Sequence, residues 1–205
     1  MAFGPPMDRR KVLGLVAGTR WDGVLELNRM AFSDRLPRNS ESRAMAVAFR
    51  MIQKRAPQVE WVLSYSDASQ CGDGTIYRAA GFVLTGIKPN RQIYRFPNGA
   101  IKSRAFLTDT KNPGKFAFAR EVGASATATA SMAPWVTAGA TLVPGFQLRY
   151  IRFLNPAARS RLTVPELPFS AIDEAGARMY RGKAPEAGDD RDHRHSDAAA
   201  AIRGL

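Results

Sequence analysis

Two short stretches of the chain carry residue types that can do chemistry. In TIYRAAGFVLTG, Tyr77 sits inside what reads as a two-turn helix, stopped at Gly81 and followed by a β-rich run. A phenol in that place can donate a proton or simply fill the core with its ring. In PRNSESR, a polar turn between a strand pattern and a helix pattern, Asn39, Ser40, Glu41 and Ser42 fall at a helix N-terminus. Unpaired backbone N–H groups and a partial positive charge gather there and can hold an anion such as a pyrophosphate. Arg38 and Arg43 add charge, whereas Glu41 repels phosphate at close range and suits the helix dipole. The same residues would equally serve plain capping.

Elimination narrows the chemistry further. The only histidines are His193 and His195, both in the C-terminal tail, so a Ser-His-Asp or Cys-His hydrolase has no base in the folded part. The single cysteine, Cys71, excludes an internal disulfide and a thiolate zinc cluster, and fits a reducing cytoplasm. No metal site is legible. No Walker loop occurs and no GxGxxG follows a strand, which removes phosphoryl transfer and dinucleotide chemistry. The formal charge of +12, from 30 Lys and Arg against 18 Asp and Glu, favours a polyanionic partner, nucleic acid first. No apolar run approaches the roughly 20 residues that span a bilayer, so the expectation is a soluble, intracellular protein.

The elements that must position these groups alternate between strand and helix. Residues 24–32, VLELNRMAF, read as a strand with Leu25, Leu27, Arg29 and Ala31 on one face. After the polar loop, with Asn39 or Ser40 as N-cap, AMAVAFRMIQK repeats Ala44, Val47, Ala48, Met51 and Ile52 at helical spacing and ends near Ala56, before Pro57. VEWVLSYSD alternates cleanly, with Val59, Trp61, Leu63 and Tyr65 on one side. The loop ASQCGDG leads into the short helix, where Asp73 can cap and Gly81 suits the left-handed terminating position beside Phe82, and VLTGIK is a third strand. This order argues for an α/β layer.

Beyond Lys88 the character changes. Asn98-Gly99 lies between two β-prone segments, a strong hairpin signal, in RQIYRFPNGAIKSRAFLT, whose arms carry Arg91, Arg95, Lys102 and Arg104 as candidate DNA contacts. EVGASATATASMAPWVTAGATLVPG, with Trp135 as its one large residue, reads as an irregular insertion or mobile lid. FQLRYIRFLNP returns to a strand pattern and FSAIDEAGARMY to a short helix. The expected organisation is one domain over residues 1–181, with a core at 20–90, the basic hairpin and small-residue insertion at 91–145, a closing strand and helix at 146–181, and a disordered tail over 182–205.

The order strand, phosphate-facing turn, long helix, strand, tyrosine-bearing short helix, Gly-Phe and strand resembles the central half of the GNAT N-acetyltransferase fold, with YRAAGF matching its tyrosine-x-x-x-Gly-Phe helix ending. The resemblance implies a central mixed β-sheet flanked by helices and acetyl-CoA or a related acyl donor as cofactor. Arg38, Asn39, Ser40, Ser42 and Arg43 would then be its binding residues, although PRNSESR lacks the glycines usual in that turn. More particularly, LNRMAFSDRLPRNSESR followed by SYSDASQCGDGTIYRAAGFVLTG resembles the Mom family of phage DNA-modification proteins, over residues from about Phe3 to Arg181. That resemblance implies conversion of adenine in double-stranded DNA to N6-carbamoylmethyladenine, as protection against host restriction. It carries the family's functional arginine, serine, aspartate and tyrosine onto Arg29, Ser42, Asp67 and Tyr77.

These four types suit the chemistry. An arginine fork pairs with phosphate or a carbonyl, a first-turn serine binds a cofactor phosphate, a carboxylate at a strand end can take an amine proton, and a tyrosine can protonate a leaving group. The chain starts at what looks like the middle of the family's sequence, so the family's N-terminal strand and helices, with a histidine motif linked to iron, have no counterpart, and a sheet edge should be exposed. Iron ligands are not identifiable, and the oligomeric state stays open, a dimer included. The rival readings are a general N-acetyltransferase acting on a small amine or protein, and an inactive DNA-binding relative.

Overall fold

Strand formation begins at the first residues. The computed structural model describes residues 1–33, 35–67, 72–125 and 130–178. In chain order its strands and helices are β1 (Ala2–Gly4), α1 (Arg9–Leu13), β2 (Val24–Arg29), α2 (Ser40–Arg55), β3 (Trp61–Asp67), α3 (Thr75–Ala79), β4 (Val83–Pro89), β5 (Ile93–Arg95), β6 (Ile101–Ser103), α4 (Arg104–Thr108), α5 (Pro113–Glu121), α6 (Ala133–Thr137), β7 (Thr141–Leu142), β8 (Phe146–Phe153) and α7 (Ser170–Glu174). Two 3-10 turns, Trp21–Gly23 and Pro156–Arg161, complete them. The protein is thus a mixed α and β fold. The expected tail at 182–205 and residues 68–71 of the loop containing Cys71 lie outside the described residues.

The main sheet has five strands in the order β1-β2-β3-β8-β4. Only β2 and β3 are parallel, as a helical crossover demands, and α2 supplies that crossover. β3 is the axis of the sheet: Trp61, Val62, Leu63 and Ser64 are fully buried, so the clean alternation of its sequence describes two buried faces. On one face Val62, Leu148, Tyr150 and Leu84 pack under Met45 and Phe49 of α2 and Ile172 of α7. On the other, Trp61, Leu63 and Ile151 pack with Val12, Leu15 and Val16 around α1, and the Trp61 indole donates to Thr19 Oγ1 at 3.0 Å.

Two readings need correction here. The buried stripe of α2 is Met45 and Phe49 with Ile52 packed beside them, whereas Val47 and Met51 are about half exposed. Phe49 and Met45 offer the larger apolar surfaces, and at 100° per residue they rotate the helix away from the Val47 side. The outermost strand on that side of the sheet is β1, which pairs with β2 antiparallel through Ala2↔Arg29, Phe3↔Leu27 and Gly4↔Glu26. The insertion is no lid: Trp135 is 1% exposed, stacks with Phe118 and meets Phe96 edge to face, in a core shared with Leu107 and Ala119. A small sheet in the order β6-β5-β7, with α4, α5 and α6, encloses it. Runs of Ala, Ser and Thr hid this core, because its large side chains are scattered from Phe96 to Trp135.

Replacing Trp135 by Ala should cost about 3–5 kcal/mol of the stability of this small core. Trp135→Phe keeps a ring but orphans the Leu107 carbonyl, which now accepts from the indole at 3.0 Å, at a cost of about 1–3 kcal/mol. Amide hydrogen exchange of β5 and α5 checks both. Exchange rates equal to wild type in Trp135→Ala would refute an autonomous core.

Candidate functional site

β3, β8 and β4 bring their polar ends together at one end of the sheet. Asp67 ends β3 and lies in register with Gln147, which also faces Lys88 of β4. The Asp67 carboxylate accepts from Asn90 Nδ2 at 2.6 Å. Arg29 ends β2 at the same end, exposed and paired across the ladder with Ala2. The parallel ladder between β2 and β3 runs only through Val24↔Trp61, Leu25↔Val62 and Glu26↔Leu63. Beyond it β2 stays with β1 and β3 stays with β8, so the two carboxyl ends part. Such a parting at the carboxyl ends of strands is where open α/β sheets take ligands.

The N-terminus of α2 adjoins this end, because α2 follows β2 and returns to β3. Asn39 occupies the cap position in the left-handed region, φ 65°, and its side chain makes no capping bond. Of the two expected cap residues, Asn39 is thus the one used, through its backbone rather than its side chain. The Ser40 hydroxyl donates to the Pro37 carbonyl at 2.6 Å and the Ser42 hydroxyl to the Asn39 carbonyl at 3.1 Å, which leaves both oxygens able to accept. Arg38 and Arg43 are exposed beside them.

Tyr77 lies over the middle of the sheet rather than its end. Its ring is 5.3 Å from that of Phe82 and 5.4 Å from that of Tyr150, and it is partly buried against the core. Gly81, φ 76°, ends α3, with Gly81 N–H donating to the Arg78 carbonyl and Phe82 N–H to the Tyr77 carbonyl. The Tyr150 hydroxyl donates to the Asp73 carbonyl at 2.5 Å, and burial pushes its pKa far above the ordinary phenol value. The cap of α3 falls on Gly74 rather than on the expected Asp73, which lies one residue earlier, accepts from Thr75 N–H and Thr75 Oγ1, and pairs with Arg78 at 3.1 Å. The structure thus brings Arg29, Asp67 and the Ser42 turn to one end of the sheet, and sets Tyr77 on the face that α2 covers.

The basic insertion springs from the same end. In its hairpin β5 pairs with β6 through Tyr94↔Lys102 and Arg95↔Ile101, and Gly99, φ 82°, closes the turn. Arg91 and Arg95 are exposed. Arg104 starts α4 instead of continuing an arm, whereas Lys102 lies on β6 as expected, with its Nζ 4.9 and 4.8 Å from the ring centroids of Phe106 and Phe118. The apolar stem of Lys102 and the attraction of its ammonium to ring faces explain that placement.

A polar group on the opposite face of the sheet escaped the sequence reading. Tyr65 faces Arg149 across the β3–β8 ladder. Arg149 donates to Thr85 Oγ1 at 3.0 Å and to the Thr85 carbonyl at 2.6 Å, both presented by a bulge between Leu84 and Gly86. Burial raises the Glu26 carboxyl above its usual range, opposed by the Met7 backbone N–H, and burial likewise raises the Tyr65 phenol, opposed by Arg149. Glu26 was visible only as a polar interruption in an apolar strand.

Because the folded pKa of Glu26 is raised, its ionisation disfavours the fold: the penalty is absent below the unfolded carboxylate range and grows as pH climbs through the raised value. Glu26→Gln, which can still accept from Met7, should raise the melting temperature near pH 8 and have no effect near pH 3. Thermal unfolding across pH checks this, and an equal shift at both pH values would contradict it.

A model of the Mom protein family matches residues 1–171. Methylcarbamoylase mom of Escherichia phage Mu is 36% identical over 163 residues, covering 78% of this chain and 59% of that protein. The chain therefore spans about three-fifths of the length of the curated relative it matches.

Proposed function

The chain belongs to the Mom protein family, and from that premise we propose that it is a phage DNA-modification transferase converting adenine to N6-carbamoylmethyladenine. The observation that carries the reading is a family match whose span, residues 1–171, contains Arg29, Ser42, Asp67 and Tyr77 together. Geometry supports it in three ways. The parting of β2 from β3 beside the first turn of α2 suits an acyl-type donor with its phosphates on the Ser40 and Ser42 side. Asp67, a carboxylate at a strand end, suits removal of a proton from the exocyclic amine of adenine. A net charge of +12, with exposed Arg91, Arg95 and Arg104, suits a phosphate backbone.

In this reading Arg29 orients the donor's phosphate or carbonyl, Ser42 binds the cofactor and Tyr77 donates the proton to the leaving group. The N6 of adenine lies inside the stack of a duplex, so the base is extruded or met as a single strand, while the arginines hold phosphates without reading sequence. Resemblance to GNAT acetyltransferases is the ground for acetyl-CoA or a related donor; acyl transfer from acetyl-CoA alone would give N6-acetyladenine, so the carbamoylmethyl product requires a related donor or a co-reactant that supplies the amide nitrogen and bonds to N6 through its methylene carbon. A general N-acetyltransferase would turn over acetyl-CoA without DNA and bind nucleic acid weakly and without salt dependence.

Digests of DNA from cells expressing the full chain should contain carbamoylmethyladenine by mass spectrometry, and unmodified adenine throughout, with soluble protein, would sink the proposal. Tyr77→Phe and Asp67→Ala should abolish product while leaving DNA affinity nearly intact. Affinity itself should fall steeply with salt, and replacing Arg91 and Arg95 by Ala should lower the logarithmic salt slope by about 0.9 for each phosphate contact removed. A flat slope in wild type would favour the acetyltransferase.

A further inference from the structure

Asn90, the residue after β4, is 5% exposed and uses both ends of its amide. Its Nδ2 donates to Asp67 Oδ1 at 2.6 Å, its Oδ1 accepts the Gln92 backbone N–H at 2.9 Å, and its own backbone N–H donates to the Gly145 carbonyl at 2.8 Å. The amide has one workable orientation, since a carboxylate only accepts and a backbone N–H only donates. An aspartate at this position would keep the turn to Gln92 but press a second carboxylate against Asp67. An alanine would keep neither bond.

Gln92 and Gly145 form the neck from which residues 91–145 project. Val143 N–H donates to the Ile93 carbonyl and Arg104 N–H to the Gln92 carbonyl, at 2.9 and 2.6 Å, so the hairpin and the start of α4 are rooted on this neck. One buried side chain therefore ties the last carboxylate of β3 to the base of the basic insertion. Hydrogen bonds to a charged acceptor are short and about twice as strong as neutral ones, so the tie is stiff.

We propose that Asn90 is a positioning residue that fixes the Asp67 carboxylate in register with DNA held by residues 91–145. This rests on the DNA-modification reading and deepens it. A duplex gripped by Arg91, Arg95 and Arg104 is then located relative to Asp67 through two side-chain hydrogen bonds, and misplacement by about 1 Å is enough to slow a reaction on the order of a hundredfold.

The test uses the full chain as wild type, Asn90→Ala, Asn90→Asp, and the exchanged pair Asp67→Asn with Asn90→Asp. The modification rate at saturating duplex, the duplex Kd and hydrogen exchange at Ser66, Asp67 and Gln92 with and without duplex are measured. Both single variants should slow modification on the order of a hundredfold with Kd little changed. The exchanged pair restores a donor and an acceptor, and so thermal stability, with Kd again little changed, yet stays inactive because the carboxylate stands after β4 instead of at the end of β3. Duplex should slow exchange at all three amides in wild type and not at Ser66 and Asp67 in Asn90→Ala, which carries no like-charge clash and keeps the test standing should Asn90→Asp misfold. Wild-type rates in Asn90→Asp, or protection of β3 that survives in Asn90→Ala, would overturn the inference. Asn90-dependent protection in a wild-type protein that leaves adenine unmodified would instead uphold the tie and refute the DNA-modification reading.

Discussion

The pairing of β8 with β3, seven residues in unbroken antiparallel register from Trp61↔Phe153 to Asp67↔Gln147, is the constraint on which the rest of the structure depends. A strand from late in the chain is driven between β3 and β4, so β4 and β8 become antiparallel neighbours and everything between them becomes the loop of one large hairpin. Antiparallel geometry leaves that loop a single exit, at the carboxyl end of β4. Since β4 and β3 both run antiparallel to β8, that exit is also where β3 ends in Asp67. The basic insertion is beside the candidate site because strand order puts it there.

The same strand order divides labour between the faces. Toward α2 and α3 the sheet presents apolar residues and the Tyr150 phenol, and Ser64 Oγ is buried there without a hydrogen-bond partner among the described residues, at a cost of about 1–3 kcal/mol. Toward α1 the outer half of the sheet turns polar, with Tyr65, Arg149 and Glu26 kept half-buried. The departure of β2 from β3 exposes the edge between these two environments. A ligand entering there would meet the first turn of α2 on one side and the end of β3 on the other.

Much of this was legible in the sequence, for reasons that are local. The alternation of WVLSYSD, the break at Pro57, the Gly81 ending of α3 and the hairpin at Asn98-Gly99 each follow from the backbone preferences of a few neighbouring residues. The face of α2 was less legible, because two moderately apolar residues, Val47 and Met51, lie at the same spacing as the bulkier pair that wins the core. The core around Trp135 and the roles of Asn90 and Arg149 were not legible at all. Each depends on contacts across tens of residues, Asn90 with Asp67 and Arg149 with Thr85, which no periodicity in one segment encodes.

Under the proposed reading, packing and chemistry do not compete at Tyr77. Two phenols lie 5.4 Å apart between their centroids, and their environments push them toward different tasks. Tyr150 is fully buried, its hydroxyl proton is committed to the Asp73 carbonyl, and its ionisation is strongly disfavoured, so it acts as a structural post for the turn leading into α3. Gly74 must be small at that post: with φ 86°, a Cβ would stand 2.5 Å from the Tyr150 ring. Tyr77 is the more exposed of the pair, with Phe82 and Tyr150 gripping its ring. A ring immobilised by packing is what a proton donor needs, because the lost side-chain freedom is already accounted for in folding and is not spent again when substrate binds. Under the proposed reading, the stop at Gly81 that makes Tyr77 look like a core residue is also what would hold it ready for chemistry.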